Sequence, residues 1–244
     1  MGKKLLVTDL DGTLLKENNE ILKVDVSKLK EFKKNGNYIA IATGRAKEEV
    51  KFLFNDYGLE FDIIATLNGA EIIDHTGKVL SKRYINLDKI NGILEDKLIG
   101  DEEIIFVTEE RIFRNAEAFL REGKKQNILT MNICFKYKDY SSIDKILEGL
   151  KNKYGHEISI FRNKNYIDIA PLGCSKGEAL KEFKERLGID HEYTYSIGDS
   201  WNDVSMIREA KVGATFYNTE DNLIKEADKV VNNFTEFLDF IINI

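Results

Sequence analysis

The chain has 244 residues, of which 42 are acidic and 36 are basic, and its formal net charge is −6. This balance, without a basic segment interleaved with aromatic residues, argues against nucleic acid as a partner. No apolar stretch approaches the roughly 18 residues that a membrane-spanning helix requires, so we expect no membrane partner. Hydrophobic residues make up 43% of the chain, which is enough for an ordinary globular core.

The two cysteines, Cys134 and Cys174, lie far apart, without C-x-x-C spacing or partnering histidines. This arrangement predicts reduced thiols rather than a zinc site or a disulfide framework. The N-terminus leads directly into a short strand that contains acidic residues, which is unlike a secretory apolar segment. We therefore expect a cytoplasmic protein.

A short apolar stretch from Lys4 predicts a first strand, which delivers Asp9 and Asp11 into a turn marked by Gly12. Alternate side chains of a strand share a face, so the two carboxylates point together while the extended geometry persists. Two carboxylates at such short range repel each other unless a nearby cation or a shared proton offsets the repulsion. Taken alone, the stretch is equally typical of a solvated turn at the end of a strand.

Helices and strands then alternate along the chain. Helical periodicity predicts a helix over residues 24–35, and the apolar run at 38–42 predicts a buried strand that ends at Thr43-Gly44-Arg45. A second helix is predicted up to Gly58, and residues 61–67 form a third predicted strand that ends at Asn68-Gly69. This alternation is typical of βαβ units in a parallel sheet.

Polar residues follow each of these predicted strands. In parallel sheets of this kind, ligands bind beyond the carboxyl ends of the strands. Asp9 and Asp11, Thr43, and Asn68 all lie at such ends. Their convergence favours a functional site more than any one of them does.

From Glu71 the pattern changes to a hairpin, followed by helices and strands in paired groups. Helices are predicted at 87–98, 116–126 and 141–154, and strands at 104–108, 111–114, 129–137, 157–161 and 166–170. The only proline, Pro171, and the following Leu172-Gly173 predict a hinge. We therefore predict an α/β protein with a Rossmann-like parallel-sheet core, residues 1–82 and 173–244, and an inserted α+β domain, residues 83–172.

The βα alternation resumes after this hinge. A helix is predicted to begin around Lys176, and a strand at 193–197 ends at Gly198-Asp199-Ser200-Trp201-Asn202-Asp203. Helices through Arg208, at 221–227 and at 235–242, with short strands between them, complete the predicted core.

Four short motifs stand in order on the predicted sheet: Asp9-Leu10-Asp11-Gly12-Thr13, Thr43-Gly44-Arg45, Ser175-Lys176-Gly177, and Gly198-Asp199-Ser200-Trp201-Asn202-Asp203. This set resembles the haloacid dehalogenase-like (HAD) superfamily of phosphohydrolases, and most of all its Cof-type branch, which carries a large α/β cap. The resemblance covers essentially the whole chain. It implies that residues 83–172 form the cap.

The resemblance implies chemistry through an aspartyl-phosphate intermediate. Asp9 is similar to the family nucleophile, and Asp11 to the acid/base that protonates the leaving oxygen and later activates water. Mg²⁺ would be held by Asp9 and Asp199, by the backbone carbonyl of Asp11, and by Asp203 directly or through a water. Outside this family, Asp199 and its neighbours would be an ordinary strand-to-helix turn.

The resemblance also implies a phosphate site. Thr43 would offer its hydroxyl, and Gly44 its amide, to a phosphate oxygen at a helix N-terminus. Lys176, at another predicted helix start, would neutralise the phosphoryl group and Asp9, and this offsets its unfavourable place near the positive end of the helix dipole. Asn202 would add a donor amide.

Three further residues have two interpretations each. Arg45 either meets the substrate or forms a salt bridge near the rim of the sheet. Asn68 either touches the substrate or only shapes the entry to the hairpin. Arg162, in a predicted polar loop with Asn163 and Asn165, either faces the site or belongs to a solvated hairpin turn.

The expected function is that of a Mg²⁺-dependent phosphatase for small phosphorylated metabolites, with sugar phosphates ahead of nucleotide-cofactor and pyridoxal phosphates. One alternative is a phosphomutase on the same core, although Thr43-Gly44-Arg45 resembles the hydrolases more closely. The other is a non-catalytic module that binds a phosphate ligand. Such a module would be expected to have lost one of four residues that this chain keeps: Asp9, Asp11, Lys176 and Asp199.

Overall fold

The computed structural model describes residues 2–16, 18–123 and 126–244. The chain forms two compact units: a core unit up to Leu80 and from Lys176 onward, and an inserted unit, Ser81–Ser175. Cys134 and Cys174 are both buried, and they form no disulfide bond. Among the helices within the described ranges, none combines the length and the apolar character needed to cross a bilayer.

The strands follow one another in chain order as β1 (Leu5–Thr8), β2 (Tyr38–Ala42), β3 (Ile63–Thr66), β4 (Glu71–Asp74), β5 (Val79–Lys82), β6 (Glu103–Thr108), β7 (Ile112–Phe113), β8 (Ile128–Cys134), β9 (Ile158–Asn163), β10 (Tyr166–Pro171), β11 (Thr194–Ile197), β12 (Val212–Phe216) and β13 (Lys229–Val231). The α-helices are α1 (Lys23–Lys34), α2 (Phe52–Asn55), α3 (Leu87–Leu94), α4 (Ala116–Ala118), α5 (Tyr140–Tyr154), α6 (Lys176–Leu187), α7 (Val204–Glu209), α8 (Asp221–Ile224) and α9 (Phe234–Asn243).

The core unit is built on a sheet with the strand order β13-β12-β11-β1-β2-β3-β4-β5. Strand β1 lies at its centre, and Leu5 is opposite Tyr38 of β2 and Thr194 of β11, both in parallel pairing. Strand β4 runs antiparallel to β3, so the predicted hairpin extends this same sheet. The four residues of β1, of β3 and of β11 are all buried, as apolar runs covered on both faces should be.

Helices cover both faces of this sheet. On one face, Phe32 of α1 and Phe237 of α9 belong to one apolar cluster with strand residues such as Leu6 and Ile41. On the other face, Phe183 of α6 and Met206 of α7 pack with the alternate strand residues. The predicted parallel-sheet α/β core is confirmed.

The predicted second helix, up to Gly58, is wrong in form. The segment is a 3₁₀ turn at Lys47–Val50, followed by the single turn of α2. Buried Val50 and Leu53 are three residues apart, a spacing that suits a 3₁₀ turn as well as an α-helix. Aromatic residues such as Phe52 add little helix propensity.

The inserted unit has its own sheet, with the order β7-β6-β8-β10-β9 and antiparallel pairing between its neighbouring strands. Its core brings Ile93 of α3 and Leu150 of α5 together with Ile133 and Ile167 of the strands. This confirms the predicted antiparallel α+β insert. The helix predicted at 116–126 is α4 and then a π-type turn, Phe119–Gly123, and its residues 124 and 125 lie outside the described residues.

The polar loop predicted around Arg162 is also wrong in its position. Arg162 lies inside β9 and is buried, and the reversal falls at Lys164, which has φ +54, and Asn165. The guanidinium of Arg162 faces α5, with Nε 3.4 Å from Asp144 Oδ1 and the carbon Cζ 4.8 Å from the Tyr140 ring centre. A long arginine stem can line an apolar core while its head is paired, which a polarity pattern does not reveal.

Candidate functional site

Four segments of the candidate site follow directly after strands of the core sheet. Asp9 follows β1, Thr43 follows β2, the turn Leu67–Gly69 follows β3, and the Gly198–Asp203 segment follows β11. Because these strands are parallel neighbours, the four segments lie at one edge of the sheet. The strand ends that the sequence predicts are therefore adjacent in the structure.

A buried lysine lies between two buried aspartates at this edge. Lys176, the first residue of α6, has a side chain that is 2% exposed, and its Nζ donates to Asp9 Oδ1 and to Asp203 Oδ1, each at 2.6 Å. Burying charges costs several kcal/mol per ion unless they are closely paired. The short contacts meet that requirement for the lysine, but two carboxylates share its one positive charge.

Burial shifts the proton affinities of this group. It raises the pKa of Asp9 to about 6, against the opposing charge of Lys176. Burial likewise raises the pKa of Asp203. For Lys176, burial alone would lower the pKa, but the carboxylates of Asp203 and Asp9 outweigh it and the pKa is raised. The lysine is therefore held as an ammonium, and the excess negative charge favours a further cation.

A third carboxylate completes a possible cation site. Asp9, Asp199 and Asp203 each offer an oxygen, and these oxygens lie within 4.8 Å of one another. The Thr13 hydroxyl donates to Asp199 Oδ1 at 3.3 Å. Carboxylate oxygens are the ligands that Mg²⁺ prefers, so the donor set and the excess negative charge both fit this ion.

The loop after β11 is shaped around Asp203. The backbone amides of Asp199 and Ser200 donate to Asp203 Oδ2 at 3.0 and 2.9 Å, which folds the loop back on itself. A Cβ on Gly198 would lie 2.4 Å from Cβ and Cγ of Asp203. A residue with a side chain at position 198 would therefore displace the aspartate.

Asp11 does not join the acid cluster through its side chain. The chain turns at Gly12, with φ +90, and the Asp11 carboxylate is half exposed. Arg45 Nε and Nη2 donate to its two oxygens at 2.8 and 2.6 Å, and Nη2 also donates to Asn19 Oδ1 at 2.9 Å. The hydrogen bond with Asp11 raises the pKa of Arg45. Of the two interpretations of Arg45, this geometry favours the salt bridge, and the substrate contact stays a prediction.

The segment after β2 lacks the helix N-terminus that we predicted there. Thr43 is buried, and its Oγ1 accepts from the Arg45 backbone amide at 3.1 Å. The next helical turn begins at Lys47 and is a four-residue 3₁₀ turn, so this segment does not start an α-helix whose dipole could act on an anion at Thr43. An anion there would have to rely on the Thr43 hydroxyl and the loop amides.

The turn after β3 contacts the loop after β11. Asn202 Nδ2 donates to Asn68 Oδ1 at 3.2 Å, and both side chains are buried. Leu67, Asn68 and Gly69 all have left-handed backbone conformations, with φ of 52, 54 and 91°. Nothing in the sequence signals this turn at Leu67, because leucine rarely adopts a positive φ. The Asn68–Asn202 contact was likewise missed, since a sequence pattern does not reveal contacts between distant turns.

Comparison with known proteins places the chain in a family. A model of the haloacid dehalogenase-like hydrolases matches residues 6–237. The chain belongs to this family. This match confirms the resemblance that the four motifs carry.

Two curated relatives are phosphatases by name. The 5-amino-6-(5-phospho-D-ribitylamino)uracil phosphatase YcsE of Bacillus subtilis (strain 168) is 27% identical over 237 residues, which cover 96% of this chain and 91% of that protein. The HMP-PP phosphatase of Enterobacter sp. (strain 638) is 25% identical over 239 residues, which cover 91% of this chain and 87% of that protein.

A solved structure supports the fold. The HAD subclass IIB sugar phosphatase BT4131 matches with a TM-score of 0.82 and 23% identity, covering 99% of this chain and all of that one. Likeness at this level of identity shows a common fold, an α/β core with an additional antiparallel sheet.

Proposed function

We propose that this haloacid dehalogenase-like hydrolase is a Mg²⁺-dependent phosphatase that hydrolyses small phosphorylated metabolites through an aspartyl-phosphate on Asp9. The observation that carries this proposal is the buried Asp9 carboxylate, 2.6 Å from Lys176 and grouped with Asp199 and Asp203. A nucleophilic carboxylate needs its orientation fixed and a counter-charge for the incoming phosphate. Lys176 supplies both to Asp9.

The metal would be held by Asp9, Asp199, Asp203 and the backbone carbonyl of Asp11. When bound, it supplies positive charge that favours the ionised form of Asp9 and neutralises charge on the phosphoryl group. The raised pKa of Asp9, about 6 by burial, would otherwise leave part of this group protonated near neutral pH. Asp203, held by Lys176 and two backbone amides, would bind the metal directly or orient a water on it.

In the first step, an Asp9 oxygen attacks phosphorus, the bond to the leaving oxygen breaks, and Asp11 gives that oxygen a proton. In the second step, Asp11 takes a proton from water, whose oxygen attacks phosphorus and releases phosphate and the Asp9 carboxylate. Both steps need Asp11 to exchange protons. At least one of the two hydrogen bonds from Arg45 to Asp11 would then have to break. A contact with the substrate phosphate would give Arg45 another anionic partner.

The phosphoryl group would be bound by Thr43 and Gly44, Lys176 and Asn202. The sequence also predicts substrate contacts for Asn68 and Arg162, but the contacts of Arg162 with α5 favour a structural role for that residue. We keep residues 1–82 and 173–244 as the proposed catalytic core and residues 83–172 as the proposed cap that supplies leaving-group specificity. Sugar phosphates are the preferred substrate class, and the phosphoribityl group in the name of the relative YcsE supports a polyhydroxylated leaving group.

A panel of phosphomonoesters, scored by phosphate release with Mg²⁺ and with EDTA, tests the proposal. We expect release by the wild type in Mg²⁺, loss of release in Asp9→Asn, and no change in Asp56→Asn, a matched control at an exposed aspartate. Circular dichroism would establish that Asp9→Asn is folded. Wild-type release by Asp9→Asn would refute the mechanism.

The same panel separates the alternatives. Isomerised sugar phosphate in place of free phosphate would indicate a phosphomutase. No turnover of any ester in Mg²⁺ would favour a module that binds a phosphate ligand without reacting.

A further inference from the structure

The turn that follows β3 has an unusual backbone. Leu67, Asn68 and Gly69 have φ values of 52, 54 and 91°, and Leu67 and Asn68 are both buried. Each non-glycine residue in this left-handed region is disfavoured, and asparagine is disfavoured less than leucine. Strain of this kind persists only where the surrounding structure determines it strongly, and it concentrates at functional sites.

The neighbouring segment after β2 holds the turn in place through two backbone hydrogen bonds. The Leu67 amide donates to the Arg45 carbonyl at 3.0 Å, and the Asn68 amide donates to the Thr43 carbonyl at 2.9 Å. These bonds tie the turn to the backbone of the proposed phosphate-binding segment after β2. The left-handed conformation is therefore coupled to the position of Thr43.

The Asn68 side chain reaches the loop after β11. Its Oδ1 accepts one N–H of the Asn202 amide at 3.2 Å, and Asn202 is 4% exposed. Asn202 Oδ1 is buried and has no hydrogen-bond partner among the described residues. A buried amide that is held by one bond keeps a second N–H, which can donate to another acceptor.

We propose that Asn68 is a positioning residue, whose Oδ1 orients the Asn202 amide so that its second N–H meets a phosphoryl oxygen. This inference rests on the proposed function, in which Asn202 binds the phosphoryl group. Asn68 then acts on phosphate through Asn202 and does not touch it. The left-handed turn is what places the Asn68 side chain at Asn202 while its backbone holds the Thr43–Arg45 segment.

Two other roles make different demands on Asn68. If Asn68 only completes a turn, glycine should serve as well, since glycine adopts a positive φ without cost. If Asn68 itself binds the phosphate, its loss should matter whether or not Asn202 is present. A double-mutant cycle separates these roles from positioning.

The experiment measures binding of inorganic phosphate to the full chain in saturating Mg²⁺, independently of turnover. Trp201 is the only tryptophan in the chain and directly precedes Asn202, so its fluorescence is a local probe. The variants are Asn68→Gly, Asn202→Ala and the double variant. Lys164→Gly is the matched control, because it introduces glycine at another left-handed position, φ +54, in the inserted unit.

We expect Asn68→Gly to weaken phosphate binding by about two- to tenfold, the effect of one oriented hydrogen bond. Adding Asn68→Gly to Asn202→Ala should change binding by less than about twofold, and Lys164→Gly should bind as the wild type does. Asn68→Asp keeps the acceptor oxygen and tolerates the left-handed turn, so it should preserve the near-ultraviolet circular dichroism of Trp201, whereas Asn68→Gly should weaken that signal.

Three results would overturn the inference. Wild-type phosphate binding by a folded Asn68→Gly would assign Asn68 to the turn alone. Independent losses that multiply in the double variant would assign it a direct contact. No binding of phosphate by the wild type would remove the proposed function as well, which distinguishes that failure from the other two.

Discussion

Replacing Lys176 with methionine would leave two buried carboxylates without their shared partner. Lys176 donates to Asp9 and Asp203 at 2.6 Å each, and all three side chains are at most 6% exposed. Methionine has a similar length and no charge, so the substitution removes the ammonium without opening a large cavity. Breaking a buried ion pair on one side typically costs about 3–5 kcal/mol, because the remaining charge is uncompensated.

The pH dependence of this loss has a definite sign. Burial already raises the pKa of Asp9 to about 6 and raises that of Asp203, and Lys176 opposes both shifts. Without the lysine, both pKa values rise further above the unfolded value of 3.8. The folded state then binds more protons than the unfolded state, so the variant gains stability as the pH falls. The loss should be largest near pH 8 and smaller at pH 5.5.

Urea unfolding of wild type and Lys176→Met at both pH values, in EDTA, measures this difference. Lys181→Met is the matched control, because Lys181 lies on the same helix, is 47% exposed and pairs with Glu178 at 2.7 Å. Surface pairs contribute about 0–1 kcal/mol, so the control should lose little at either pH. Equal losses in the two variants, or a loss in Lys176→Met that does not change with pH, would refute the reasoning.

Two further substitutions in the core unit test the cost of a buried carboxylate and the need for glycine beside Asp203. Asp25 is buried, its Oδ1 accepts from Thr235 at 2.5 Å, and its Oδ2 has no partner among the described residues, so burial raises its pKa. Wild-type stability falls as the pH rises through this raised pKa. In urea unfolding, Asp25→Asn should therefore raise the free energy of unfolding by about 1 kcal/mol at pH 8 and by less at pH 5. A lower free energy of unfolding than the wild type at pH 8 would contradict this. Gly198→Ala should weaken Mg²⁺ binding, followed through Trp201 fluorescence, by about tenfold or more, because its Cβ would collide with Asp203 at 2.4 Å. Gly92→Ala is the control, because Gly92 lies in α3 and a Cβ there would be 3.7 Å from the Tyr154 ring, an ordinary contact distance. This variant should bind Mg²⁺ as the wild type does. Equal binding by both alanine variants would contradict the role given to Gly198.

The sequence predicts which segments meet at the site better than it predicts the contacts between their side chains. Asp9, Thr43, Asn68 and Asp199 follow apolar strands, and the parallel topology brings them to one edge of the sheet. The start of α6 at Lys176 is also predicted correctly. Strand burial and helix punctuation are local properties, so these features can be obtained from the residues alone.

The contacts between side chains of the site depend on distances in space that no local sequence pattern encodes. Lys176 is predicted to neutralise Asp9, but its equal contact with Asp203 emerges only from the folded loop. Arg45 takes Asp11 as its partner because the chain turns at Gly12. Arg162 looked like a loop residue by its polarity, yet its pairing with Asp144 allows it inside a strand.

The central claim is that phosphate passes through a covalent bond to Asp9. The direct measurement is to quench the protein in acid during turnover of an ester that the panel identifies, and to locate covalent phosphate by mass spectrometry of its peptides. We predict a phosphorylated peptide that contains Asp9 in the wild type, and none in Asp9→Asn. Phosphate release without a modified Asp9 peptide, or with the modification on another residue, would contradict the account.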